Sequence, residues 1–245
     1  MATEPTFVLV LGAWMLPPAF DLLRAELAAR GFPTEAPAHP SIGAEPPNKT
    51  LDDDVASLRA LLTRLIEDEG KEVVVVAHSY GGVVGSSAVK GLAKADREAN
   101  GQTGGVIEMV YLAAFALEQG KSLLDMLGGQ YLPWMRAEGD YVHVDSAPAV
   151  AFHDLLPEDQ EKQLAGLAHT SGAVFSGAVS YEPWHRIPSA YIVCEEDQAL
   201  PLAIQEMMAA RIGGRWTYRL KSSHSPFLSM PDKLADVMVE LAGKV

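Results

Sequence analysis

Ser79 stands in the run Ala77-His78-Ser79-Tyr80-Gly81, directly after the β-branched stretch Val73 to Val76 and directly before the small-residue stretch Val83 to Leu92. A buried strand that turns sharply into a helix leaves a serine Oγ exposed above the sheet, provided the flanking positions are small enough for strand and helix to approach. Ala77 and Gly81 meet that condition, with alanine where the G-x-S-x-G pattern has its first glycine. The N-terminus of the following helix points amide N–H groups and the positive end of its dipole at the same spot, which favours an oxyanion. The chemistry this spacing suits is acyl transfer through a serine.

A serine hydroxyl is a weak nucleophile at neutral pH and needs a histidine to take its proton, with a carboxylate to orient that histidine. Of seven histidines, His224 lies in the loop Lys221-Ser222-Ser223-His224-Ser225-Pro226, between a strand expected over Arg215 to Leu220 and the last helix. Loops after parallel strands share one edge of the sheet, so His224 is expected beside Ser79. His78 adjoins the serine but should point away from it, as a structural residue. His39, His143, His153, His169 and His185 fall in loops or in an inserted segment, where packing and surface roles are expected. Asp197 follows the strand Ala190 to Cys194 by three residues, at the same edge, with Glu195 and Glu196 as its rivals.

The elements that must position these residues alternate. Thr6 to Leu11 reads as a strand buried on both faces, and Phe20, Leu23 and Leu27 recur at helical spacing up to Gly31. Four prolines between Ala36 and Asn48 mark a loop, after which Thr50 and Asp53 suggest a capping box for the apolar stripe Leu51 to Ile66. Val106 to Ala113 is a further strand, Leu202 to Ile212 a helix, and Pro231 opens a closing helix through Leu241. Strands alternating with helices argue an α/β class with a doubly wound, mostly parallel sheet. Residues 117–186 break the alternation with Gly, Pro and short helical patches, and eight of the eighteen aromatics fall between Phe115 and Trp184. An inserted helical cap on a single domain spanning 1–245 is expected.

The chain carries 19 Lys and Arg against 32 Asp and Glu, a formal charge of −13, which repels phosphate backbones and anionic lipid surfaces and argues against nucleic-acid and membrane partners. The sequence has no apolar run of the roughly 18 residues a membrane span needs. Met1 to Pro5 includes Glu4 and no basic cluster, unlike a secretory signal. The single cysteine, Cys194, excludes an intrachain disulfide and suits a reducing cytoplasm.

Four stretches together carry a family resemblance: FVLVLGAW at 7–14, VVVVAHSYGG at 73–82, YIVCEEDQALP at 191–201 and SSHSPFLSMPDKL at 222–234. Spread over nearly the whole chain, they resemble the α/β-hydrolases, in particular the compact branch of plant methylesterases, hydroxynitrile lyases and bacterial or fungal esterase-like relatives. The resemblance implies a Ser79, Asp197, His224 triad and an oxyanion hole from the backbone N–H groups of Ala13 and Tyr80, with no cofactor and no metal. It also implies that 117–186 covers Ser79, with Trp14, Phe115, Trp134, Phe175 and Trp184 as candidates for the pocket wall. Departures from the branch are Leu11, where methylesterases carry histidine, and Ser225, where the lyases carry a lysine that holds cyanide. The expected activity is cleavage of a carboxylic ester or lactone of a small, largely apolar molecule by a monomer or homodimer. The alternatives are a non-hydrolytic lyase or cyclase on the same triad, or a small-molecule receptor with slow or no turnover.

Overall fold

The apolar run at the start of the chain forms β1 (Thr6–Val10), buried along its whole length. A 3-10 turn at Pro17–Phe20 leads into α1 (Asp21–Ala29), a two-residue β2 (Thr34–Glu35) and, past the proline-rich loop, α2 (Leu51–Thr63). The Thr50 N–H donates to Asp53 Oδ2 at 2.9 Å, the expected cap on α2. Then come β3 (Glu72–His78), α3 (Gly81–Ala88), α4 (Lys94–Ala99) and β4 (Gly105–Leu112). After the insertion, β8 (Ser189–Cys194), α8 (Leu202–Arg211), β9 (Trp216–Leu220), α9 (Pro226–Ser229) and α10 (Pro231–Ala242) complete the alternation. The computed structural model describes residues 4–213 and 216–244, so Met1 and Arg215, at the start of the expected N-terminal segment and last strand, lie outside the described residues.

The main sheet has six parallel strands in the order β2-β1-β3-β4-β8-β9. Alternate residues of each strand face opposite layers, as the period of two requires. Val8, Val10, Val75 and Ala77 pack toward α2 and α3, whereas Phe7, Leu9, Val74 and Val76 pack toward α1 and α10. Burial on both faces is why these strands read as unbroken apolar runs. Glu108 is the exception on β4: it is buried, neither carboxylate oxygen has a hydrogen-bond partner among the described residues, and burial raises its pKa to about 7 against the pull of Lys244. No helix among the described residues is long and apolar enough to cross a membrane.

The inserted segment differs from the helical cap expected. Its centre is a three-stranded antiparallel sheet of β5 (Met135–Glu138), β6 (Tyr141–Val144) and β7 (Thr170–Ser171), surrounded by the short helices α5 (Leu123–Met126), α6 (Ala147–Ala151) and α7 (Pro157–Ala165). The reason is local: Gly139, at φ +61°, and Asp140 form a two-residue turn between two segments with strand character, and that closes a hairpin. The longest helix of the insertion, α7, is a surface helix with no buried residue.

Candidate active site

Ser79 closes β3 with φ +54°, the left-handed region that a non-glycine residue adopts only when its surroundings force it. The turn is held from both sides: the Ser79 N–H donates to the Leu112 carbonyl, and the Ser79 carbonyl accepts from the N–H groups of Gly82 and Phe115. Crowding explains the small residues here. A Cβ on Gly81 would sit 2.5 Å from the carbonyl oxygens of Val10 and Leu11, and one on Gly12 would sit 2.9 Å from His78 Nδ1.

His224 follows β9 and Asp197 follows β8, at the same sheet edge as Ser79. His224 Nδ1 lies 2.6 Å from Asp197 Oδ2, and both residues are buried. Asp197 accepts three further bonds, from the N–H groups of Ala199 and Leu200 on Oδ1 and from Gln205 Nε2 on Oδ2. A carboxylate so held cannot turn away from the imidazole, and it favours the tautomer with the proton on Nδ1, which leaves Nε2 free to accept one. Its rivals point outward: Glu195 faces Arg219 and Glu196 faces Lys221 at the surface. Gln205 gave no sequence signal, because one buried polar position on a helix looks like any other.

His78 is buried beneath this pair, its Nε2 bonded to the His224 carbonyl. Burial first, and the nearby His224 second, hold it well below the usual imidazole range. Among the remaining histidines, His39 bonds the Leu11 carbonyl and is lowered by burial, while His153, His169 and His185 bond Glu196, Ala44 and Glu182. His143 stacks on Tyr141.

Ser79 and His224 line two adjoining chambers of about 410 and 350 Å³. Ala13, Trp14, Trp134 and Ala199 line both as well. The first continues over Met15, Val144, Val150, Phe152 and Leu167, and the second over Leu123, Leu127, Leu132, Met135 and Phe175. Among the described residues no Asp, Glu, Lys or Arg lines either chamber. Of the aromatics expected at the wall, Trp14, Phe115, Trp134 and Phe175 are there. Trp184 is not: it packs against Tyr111 and lines a separate surface depression with His185 and Arg186. Composition could place aromatics in the insertion but not say which way each one faces.

The amides of Ala13 and Tyr80 flank Ser79, and among the described residues neither donates to another protein group. Both are well supported. The Tyr80 hydroxyl donates to buried Asp54, which also accepts from the Ser41 N–H and hydroxyl. Trp14, at φ +65°, is tied to the insertion three times: its N–H donates to Thr170 Oγ1, its Nε1–H to the Val142 carbonyl, and its own carbonyl accepts from Ala168. On the other flank the Ser223 N–H donates to Asp154 and the Ser223 hydroxyl to the Ala151 carbonyl.

The chain as a whole is similar to known proteins. The sequence model described as "Alpha/beta hydrolase family" matches residues 7–237. "Alpha/beta hydrolase nvfD" from Aspergillus novofumigatus is 29% identical over 247 residues, 98% of each chain. "Probable hydrolase R7" from Phoma sp. is 32% identical over 253 residues, 98% of this chain and 99% of that one. Among solved structures, a methylesterase protein from Arabidopsis superposes with a TM-score of 0.77 at 20% identity, covering 98% of this chain and 100% of the other.

Proposed function

The chain belongs to the alpha/beta hydrolase family, and from that premise we propose that it hydrolyses a carboxylic ester or lactone of a small, apolar, uncharged molecule through an acyl-enzyme on Ser79. The observation that carries this reading is the 2.6 Å contact between Asp197 and a His224 that shares its apolar chambers with the strained Ser79.

In the proposed reaction, His224 Nε2 takes the proton of the Ser79 hydroxyl as Oγ bonds to the substrate carbonyl carbon. The carbonyl oxygen becomes an oxyanion facing the Ala13 and Tyr80 N–H groups, a donor pair in which each member is worth about 3–4 kcal/mol. The C–O bond to the alcohol breaks, and His224 returns the proton to that oxygen. A water then gives its proton to His224, attacks the acyl carbon and releases the acid, restoring Ser79. A lactone follows the same steps with both products on one molecule. The absence of charged residues from the chamber walls supports a neutral substrate. The reading further places a monomer or homodimer in the cytoplasm, where Cys194, buried with its thiol pushed well up by desolvation, stays reduced.

The test is a panel of p-nitrophenyl esters of graded acyl length beside a lactone panel, on the parent and on Ser79→Ala. The parent should turn over at least one class and the variant none, and a fluorophosphonate should label Ser79. Turnover by Ser79→Ala within tenfold of the parent would sink the reading.

A further inference from the structure

Outside the chambers, the 3-10 turn at Pro17–Phe20 and the start of α1 face α7 across an open groove of about 1140 Å³. Met15, Phe152 and Leu167 line this groove and also the first chamber, so the same three side chains wall both spaces. Beyond that wall the groove runs over Leu16, Leu22 and Leu155, and Leu16 and Leu22 are 37% and 54% exposed. An apolar surface parted from an apolar chamber by one shared layer of side chains is a place for a ligand too long for the chamber alone.

The insertion cannot swing away as a whole to admit such a ligand. Its β6–β7 side is tied to Trp14 by three hydrogen bonds and its α6–α7 side to Ser223 by two, so opening would leave buried polar groups unpaired. Turning side chains in the shared wall costs far less, and Met15, with three rotatable bonds, is suited to it.

We propose that the groove is a distal subsite that holds the far, aliphatic end of an extended ester whose carboxyl lies at Ser79, the chain passing between Met15, Phe152 and Leu167. This rests on the ester-hydrolase reading above. The lining is mostly apolar and includes Asp21, Asp159, Lys162 and Gln163, and its apolar part suits a long neutral chain.

The test compares p-nitrophenyl acetate with p-nitrophenyl dodecanoate on two variants. Leu22→Glu puts a charge on the groove floor, and Leu156→Glu puts one on an exposed leucine of the insertion outside the groove lining. Leu22→Glu should lower the dodecanoate-to-acetate ratio of kcat/KM about tenfold, with Leu156→Glu keeping the parent ratio. An unchanged ratio in Leu22→Glu, or an equal fall in both variants, overturns the subsite. A second arm separates this from the failure of ester hydrolysis itself. Ethyl dodecanoate, whose chain is on the same acyl side, is titrated against Ser79→Ala and against Ser79→Ala with Leu22→Glu, following tryptophan fluorescence. The subsite requires at least tenfold weaker binding by the double variant whether or not the parent turns over esters, and equal binding overturns it.

Discussion

His78 Nε2 lies 2.9 Å from the backbone carbonyl oxygen of His224, and the two imidazole rings are 4.5 Å apart. A carbonyl only accepts, so Nε2 carries the proton and Nδ1 is bare. That nitrogen has no hydrogen-bond partner among the described residues and faces Gly12. A neutral His78 matters for the proposed chemistry, because a second positive ring this close would oppose the charge His224 must take up.

His78→Leu should therefore leave the His224 carbonyl buried without a donor, at a cost of about 1–3 kcal/mol in unfolding free energy. Urea unfolding at pH 8 measures it. A variant as stable as the parent would remove the structural role given to this bond.

Asp197→Asn is expected to lower kcat by about 10⁴-fold, since an amide can present its N–H₂ to Nδ1 and favour the wrong tautomer. Gln205→Leu, which removes one of the four bonds on the carboxylate, should lower kcat by up to about 10²-fold through misplacement alone. Glu195→Gln should turn over like the parent. If Glu196→Gln were the crippling change, the acid is one position earlier.

The buried Glu108 gives a pH signature. Its folded pKa of about 7 exceeds the ordinary 4.5, so between those values the folded protein binds more protons than the unfolded chain. Stability from this group therefore falls as pH rises from 4.5 to 7 and is flat above, a loss on the order of 3 kcal/mol. Glu108→Gln should remove that slope and melt higher than the parent at pH 8, with the two curves converging toward pH 5. Parallel curves across the range would mean the carboxyl is paired.

Trp134→Ala opens the partition common to both chambers and should change the acyl-length preference in kcat/KM. Trp184→Ala should lower Tm through its contact with Tyr111 and keep the parent's preference. A shift in preference from Trp184→Ala would contradict its position on the far surface.

The site was legible where sequence neighbours determine geometry. Ala77 and Gly81 announce a tight turn because their small size is needed within a few residues of Ser79, and parallel strands bring Asp197 and His224 to that turn's edge. The two-residue β2 was not legible, because its pairing with Phe7 and Val8 is set by packing across the sheet. The hairpin of β5 and β6 was not legible, because its Gly139-Asp140 turn lies in a stretch whose Gly, Pro and short helical patches together read as a helical cap. Thr170 and Gln205, which hold Trp14 and Asp197, are single polar residues far away in sequence, and nothing near them marks their targets.

The bonds from Trp14 to Val142, Ala168 and Thr170 also bear on modularity. The insertion interrupts the fold between β4 and β8, so it looks like a part that could be exchanged for another family member's without touching Ser79, Asp197 or His224. It is not separable in that way. The backbone that carries the Ala13 amide is held in its left-handed turn by partners on β6 and around β7. A graft that replaced residues 117–186 would keep three side chains of the candidate site and lose the scaffold of the loop proposed to face the oxyanion, unless Thr170 and the Val142 carbonyl were rebuilt in the new segment.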